Sequence, residues 1–255
     1  MCKKLLVVLF VLSVAGIASA TNWNLIGYWK FDVPTNLGRE EINRADPLTR
    51  LSVWNNGGVA EPGILNGGIG FNGAGYMLLS ASTNAANTAW LEKLRSTNVM
   101  YDFYVYGKSA LGFQANENFA FSSQQTDGNW GCLGDLNGSG SAISWLNGDN
   151  NYQQTWSSDP ATWGNLFNDK WAHVQLVYEK NAFSIYVNGI LRGGGMVGGP
   201  STGISLPLSW LAMGASPWGS NILRGTIDEF KVFTPEPTTI CLLGLGGLAL
   251  LRKRR

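Results

Sequence analysis

The residues able to do acid–base or metal chemistry are few in this chain. His173 is the only histidine in 255 residues. A metal site of two or three histidines is therefore impossible, and no second imidazole could serve as a general base. No G-x-S-x-G run occurs, so a nucleophile-elbow serine hydrolase is not supported. Glycoside hydrolysis would need two carboxyl groups facing one another across a bond, about 5–10 Å apart. Asp228 and Glu229 are adjacent, and neighbours on a strand point to opposite faces. Two G-x-G-x-x-G runs, at Gly68-Gly70-Gly73 and Gly193-Gly195-Gly198, open no helix in a βαβ unit and are chance matches in a chain with 33 glycines.

Two clusters could instead bind. Asp135-Leu136-Asn137-Gly138-Ser139-Gly140 spaces oxygen ligands as half of a calcium loop does. With Asp149 from a second oxygen-rich run, Asp135, Asn137 and Ser139 are the candidate metal ligands, and calcium the candidate cofactor. The twelfth position is Leu146, not glutamate, and a plain glycine turn accounts for the same residues. Residues 127–169 also hold Trp130, Trp145, Tyr152, Trp156 and Trp163 among Asn, Gln and Ser. Aromatic rings stack on the apolar faces of sugars while amides and carboxylates read hydroxyl groups, so these residues and Trp218 are candidate glycan ligands. The same rings could fold inward to pin a long loop.

The elements that would position these residues are strands. In Trp171 to Gly189, Ala172, Val174, Leu176 and Tyr178 alternate with Trp171, His173, Gln175 and Val177, and Phe183, Ile185 and Val187 with Ser184, Tyr186 and Asn188. His173 beside Trp171 reads as a packed or hydrogen-bonded structural histidine. Asn188-Gly189 supplies a tight turn. Strands are also expected over 22–32, twice within 67–80, over 99–105, in 113–121, 208–214 and 225–233. One helix is expected over 85–96, with Thr88 as N-cap and Trp90, Leu91 and Leu94 on its apolar side. Residues 33–65 and 127–169 show little periodicity beyond 141–146, and 193–203 reads as a glycine-rich loop. The sum is an all-β, antiparallel jelly-roll sandwich.

The ends carry address labels. Lys3 and Lys4, an apolar run from Leu5 to Ile17 and Ala18-Ser19-Ala20 make residues 1–20 a secretory signal peptide. Residues 21–234 form the exported domain, with 12 basic and 16 acidic residues, a net charge of −4 that argues against nucleic acid. Cys132 is its only cysteine, so no internal disulfide can form. Residues 235–255 form the tail: Pro235-Glu236-Pro237, then Thr238 to Leu251, then Arg252-Lys253-Arg254-Arg255. Fourteen residues of helix span about 21 Å, short of a ~30 Å hydrocarbon core. A short permanent anchor is the alternative to a transient membrane association.

Four motifs in order, YWKFD, GFNGAGYMLLS, WAHVQLVYEKNAFSIYVNG and GTIDEFKVF, resemble the laminin-G-like, concanavalin A-like domain of bacterial surface proteins. That resemblance implies two curved antiparallel sheets and binding of glycans or other surface molecules, often with calcium. It also gives Asp228 a structural role. The paired-carboxylate E-x-D-x-x-E run of the glucanases of this fold is missing. The tail resembles the PEP-CTERM sorting signal, which implies removal by an exosortase-type protease and delivery to the cell surface, outer membrane or extracellular matrix. The expectation is a non-catalytic exported protein that binds glycan, exopolysaccharide above all, or another matrix component. A self-assembling structural protein is the alternative, and an atypical glycoside hydrolase a more distant one.

Overall fold

The computed structural model describes residues 23–32, 40–54, 58–73, 75–95, 98–113, 118–128, 130–137, 142–147, 152–156, 166–179, 182–196, 206–216 and 222–235. Residues 1–22, with the expected signal peptide, and residues 236–255, with the apolar, basic tail, lie outside them. The strands are β1 (Trp23–Trp29), β2 (Glu40–Ile42), β3 (Arg50–Trp54), β4 (Val59–Pro62), β5 (Gly67–Asn72), β6 (Tyr76–Ser80), β7 (Val99–Gly107) and β8 (Phe119–Gln125). They continue with β9 (Trp130–Asn137), β10 (Ala142–Asn147), β11 (Tyr152–Trp156), β12 (Trp171–Glu179), β13 (Ala182–Val187), β14 (Ile190–Met196), β15 (Leu208–Met213) and β16 (Arg224–Pro235). One helix, α1 (Ala85–Lys93), interrupts them.

The strands form two sheets. The first runs β14-β13-β12-β7-β16-β5-β4, with β1 also paired to β16; the second runs β11-β10-β9-β8-β15-β6-β3-β2. They belong to one compact unit, Leu25–Thr234, and the other, Met1–Asn24 with Pro235–Arg255, is almost wholly outside the described residues. The sheets meet through aromatic side chains. Tyr101 of β7 stacks on Phe121 of β8 at 4.3 Å, and Phe230 of β16 lies 5.5 Å from both Phe103 and Phe121. These rings are fully buried. Burying one Phe-sized side chain stabilises by about 1.5–3 kcal/mol, which is how a domain with a single cysteine holds together. Burial also fixes that thiol: Cys132 is pushed up to about 11, chiefly by desolvation, so it stays protonated.

The hairpin folds as its alternation predicts. Ala172, Val174, Leu176 and Tyr178 are buried, with Phe183, Ile185 and Val187 on β13. Asn188 and Gly189 take φ of 53° and 74° and join β13 to β14. The helix also forms, with Trp90, Leu91 and Leu94 buried. Its cap differs from expectation. Asn84, not Thr88, accepts the Asn87 N–H at 2.7 Å, because Thr88 is already inside the first turn and donates its hydroxyl to Ala81 O at 3.0 Å.

Other expectations need correction. The first strand stops at Trp29, since Phe31 sits at φ 59°. Residues 33–65 contain three short strands, β2 to β4, too brief to show a period. The strand expected within 113–121 is β8, shifted to Phe119–Gln125. Within 127–169 the described residues are mainly strand, for β9, β10 and β11 form an antiparallel meander there. Gly193–Gly195 belong to β14, opposite Ile185, Ser184 and Phe183, not to a loop. Asn, Gly and Ser are poor strand formers, so pairing with a neighbour, not intrinsic preference, makes these segments strands.

At the closed end of the sandwich, Trp90 donates its indole N–H to Ile26 O at 2.6 Å and meets Trp29 edge-on at 5.2 Å. A Cβ at Gly27 would stand 2.7 Å from Trp29 and 2.8 Å from Trp90, so glycine is what lets the two indoles close over β1. Trp90→Ala should cost about 3–5 kcal/mol of stability in urea unfolding, through a large cavity and the loss of one of the two hydrogen bonds to Ile26 O, the other coming from Asn43 Nδ2.

Candidate functional site

The structure puts the aromatic candidates on strands, where loops were expected. Trp130 begins β9, Trp145 lies in β10, and Tyr152 and Trp156 end β11. Register aligns Trp145 with Gly134 and Gln153, Tyr152 with Leu146, Trp156 with Ala142, and Trp130 with Gln124. The meander thus collects four of the six candidates on adjacent strands; Trp163 and Trp218 lie outside the described residues. Asp135 and Asn137 are ladder residues of β9, paired with Ser144 and Ala142. Ser139 and Asp149 lie outside the described residues, as does the sorting segment from Glu236 onward, with Arg252, Lys253, Arg254 and Arg255. Among the described residues no three His, Cys, Asp or Glu side chains group to hold a metal, and no helix is long and apolar enough to cross a membrane.

A different surface, with its side chains in full view, carries the richer chemistry. On β7 the inward residues Tyr101, Phe103 and Val105 alternate with Asp102, Tyr104 and Tyr106 on the solvent side. On β12 the solvent-side residues include Trp171, His173 and Gln175, followed by Val177 and Glu179. Register sets these in rows: Tyr106 against Trp171, Tyr104 against His173, Asp102 against Gln175. Two further strands extend the last row, Lys231 of β16 on one side and Tyr186 of β13 on the other. The Tyr104 and His173 rings stack at 4.7 Å, and Tyr106 and Trp171 lie 5.7 Å apart. All of these residues are half-buried.

Asp102 is the polar centre of this face. His173 Nε2 lies 3.0 Å from its Oδ1, and Gln175 donates its amide to Oδ2 at 2.7 Å. Burial opposes the charge, but the His173 and Gln175 hydrogen bonds outweigh it and hold Asp102 below the usual carboxylate range. His173 is also fixed by its backbone, whose N–H donates to Asn188 Oδ1 at 2.9 Å. The hydrogen-bonded histidine expected from the sequence is therefore present, though on a solvent-facing surface with 26% of its side chain exposed.

Asp228 and Glu229 do not alternate. Between Asp228 and Lys231 the register with β7 shifts, so that three steps along β16 oppose two along β7. Glu229 occupies the bulge at φ 53°. Both residues are buried, so a simple alternation of one carboxylate inward and one outward does not describe them. Tyr28 donates to Glu229 Oε2 at 2.5 Å, and Lys231 Nζ lies 3.2 Å from the same oxygen. Burial and the Glu229 hydrogen bond raise the Tyr28 hydroxyl well above its ordinary value. Asp228 Oδ2 accepts the N–H groups of Ile64 and Leu65 at 2.9 and 3.1 Å, and Oδ1 accepts that of Glu229. Asp228 and Glu229 are 0% and 2% exposed. Both carboxylates are closed off from solvent and engaged in holding backbone and neighbours.

Sequence reasoning took His173 alone and missed the face, because its partner Asp102 lies 71 positions away. The signal was available in the alternation of Asp102, Tyr104 and Tyr106 against a buried register.

Comparison with known proteins follows this geometry. The family described as the concanavalin A-like lectin/glucanases superfamily matches residues 84–239, and the PEP-CTERM protein-sorting motif matches residues 233–255. No curated protein matches in sequence. Domain 4 of AbnA, a GH43 extracellular arabinanase from Geobacillus stearothermophilus solved with arabinotriose, superposes with a TM-score of 0.58 at 14% identity, over 84% of this chain and 93% of that one. Trypanosoma rangeli sialidase gives 0.57 at 17% identity, over 84% of this chain and 31% of that one. The binding domain of botulinum neurotoxin DC in complex with SialylT gives 0.57 at 15%, over 84% and 48%. The chain therefore spans under a third of the sialidase and about half of the neurotoxin domain. At these identities the likeness is one of fold.

Asp228 makes the fold sensitive to pH. Desolvation raises its carboxyl from 3.8 to about 6. A folded-state value above the unfolded one means that the native state binds the proton more tightly. Asp228 should thus favour folding most below pH ~4, and stability should fall as pH rises from ~4 to ~6. Asp228→Asn keeps an oxygen for the Ile64 and Leu65 N–H groups, and thermal melting should show this part of the pH dependence removed.

Proposed function

Because the chain belongs to the concanavalin A-like lectin/glucanases superfamily and ends in a sorting motif for export to the cell surface, we propose that it is an exported, non-catalytic protein that binds surface or matrix glycan on the solvent face of the first sheet. The observation that carries this is the fixed carboxylate of Asp102, held by His173 and Gln175, among the half-buried rings of Tyr104, Tyr106, Trp171 and Tyr186. Rings supply flat apolar area for a pyranose, and a pre-set acceptor reads its hydroxyl groups without the cost of ordering it on binding. Support also comes from the neighbours, of which one was solved with arabinotriose and another with SialylT.

The β9–β11 meander, with Trp130, Trp145, Tyr152 and Trp156, is proposed as a second contact region. Calcium at Asp135, Asn137, Ser139 and Asp149 is retained as a proposal that a calcium titration of the melting temperature can test. Catalysis is disfavoured because Asp228 and Glu229 are sealed from solvent and bound to backbone, tyrosine and lysine. A general acid must reach the leaving oxygen. Exosortase-type processing of the tail and release to the outer surface complete the proposed route.

Trp171→Ala and Tyr104→Ala should each weaken binding to an immobilised exopolysaccharide panel by about tenfold or more, as ring truncation does at a binding centre. Both positions are on the solvent side, so the melting temperature should change little. Retention of full affinity in both variants would remove this face as the site.

A further inference from the structure

The charges on this face are unequally satisfied. Glu61 is paired with Lys108, and Glu229 with Lys231. Asp228 is held by three backbone N–H groups. Asp102 rests on an imidazole and an amide, with the Lys231 charge adding attraction from the neighbouring strand, and no lysine among the described residues is in contact with it. Its side chain keeps 13% of its surface in contact with solvent. Lys231, next in the row, is drawn to Glu229 at 3.2 Å. The outcome is a half-buried negative charge bordered by π-faces, where the low local dielectric strengthens its attraction for a cation.

The face already seats ammonium groups in this manner. Lys231 Nζ lies 5.0 Å and Lys30 Nζ 5.6 Å from the centre of the Tyr28 ring. A metal ion is a poorer complement to Asp102, because a hard cation needs six or more oxygens and no cluster of carboxylates stands here among the described residues. An ammonium carried on a sugar ring fits both halves of the surface, its charge on Asp102 and its ring on Tyr104, Tyr186 or Trp171. A uronate or other acidic sugar would set its carboxylate against that of Asp102, a like-charge contact that disfavours the wrong partner.

We infer that this face selects saccharides bearing a free amine, 2-amino-2-deoxy sugars in a partly deacetylated polymer, over their N-acetylated and acidic counterparts, with Asp102 as the specificity-determining residue. The inference rests on the proposal that the face binds glycan, and it can fail while that proposal stands.

Isothermal titration of the full chain at pH 7 and low salt would compare a glucosamine hexasaccharide, the N-acetylglucosamine hexasaccharide of the same linkage, and an oligogalacturonate. The amine-bearing hexamer should bind about tenfold tighter than the acetylated one, with the uronate weakest, and the preference should shrink as salt is added. Asp102→Asn should reduce the preference to about threefold or less. Gln175→Lys, which places a protein ammonium beside Asp102 at a half-buried position, should do the same and guards against a folding defect in the first variant. Equal affinity for the two hexamers, or a preference unchanged in both variants, overturns the inference. If the hexamers bind equally and Trp171→Ala weakens both, glycan binding at this face survives without amine selection. If none of the three oligosaccharides binds, both fall.

Discussion

One extra residue in β16 sets the arrangement of both faces of the first sheet. Ile227 is buried before the bulge, and Phe230 and Val232 are buried after it. Strict alternation would not bury Ile227 and Phe230 together. The shift between Asp228 and Lys231 reconciles them, at the cost of a left-handed Glu229. A non-glycine residue in that region costs about 1–3 kcal/mol and persists only where its surroundings over-determine it. Here they do. Asp228 clamps the Ile64 and Leu65 backbone, Tyr28 and Lys231 hold Glu229, and Phe230 packs against Trp29, Tyr101, Phe103 and Phe121.

The bulge also decides what the solvent side presents. It brings Lys231 into the row of Asp102, Gln175 and Tyr186 and gives Lys231 a partner in Glu229. The cation nearest to Asp102 in the ladder is thereby tied to another carboxylate. Core and proposed recognition surface are thus made from the same strands. On β7 and β12 the buried side chains are aliphatic or aromatic, and the outward ones are mostly polar or aromatic: Asp102, Tyr104, Tyr106, Trp171, His173, Gln175 and Glu179, with Met100 and Val177. Truncating a ring on the solvent side removes outward apolar surface, and truncating one on the other side opens a cavity.

Where hydrophobic alternation is strong, the sequence was sufficient. The 171–189 hairpin and β6 could be read directly, because one buried face fixes register. The apolar side of α1 was equally plain. The β9–β11 meander was not, since its Asn, Gly, Ser and Gln content carries little strand preference of its own. The glycines of β14 likewise read as loop, although each finds a partner on β13. Nor was the bulge placed: Ile227 and Phe230, three positions apart, break strict alternation, but only the register with β7 shows that the extra residue lies between Asp228 and Lys231. The Asp102–His173 pair escaped for a similar reason, as two segments far apart in the chain become neighbours only through pairing of β7 with β12. The sorting tail needed no pairing to be recognised, because its pattern is local.

The central claim is that glycan lies on the solvent face of the first sheet. Hydroxyl-radical footprinting of the full chain, with and without its exopolysaccharide, tests this most directly, because it reports side-chain cover in one experiment. Protection of Tyr104, Tyr106, Trp171 and Tyr186 is predicted. Unchanged labelling at these four residues, with protection confined to the β9–β11 meander or the β14 edge, would contradict it.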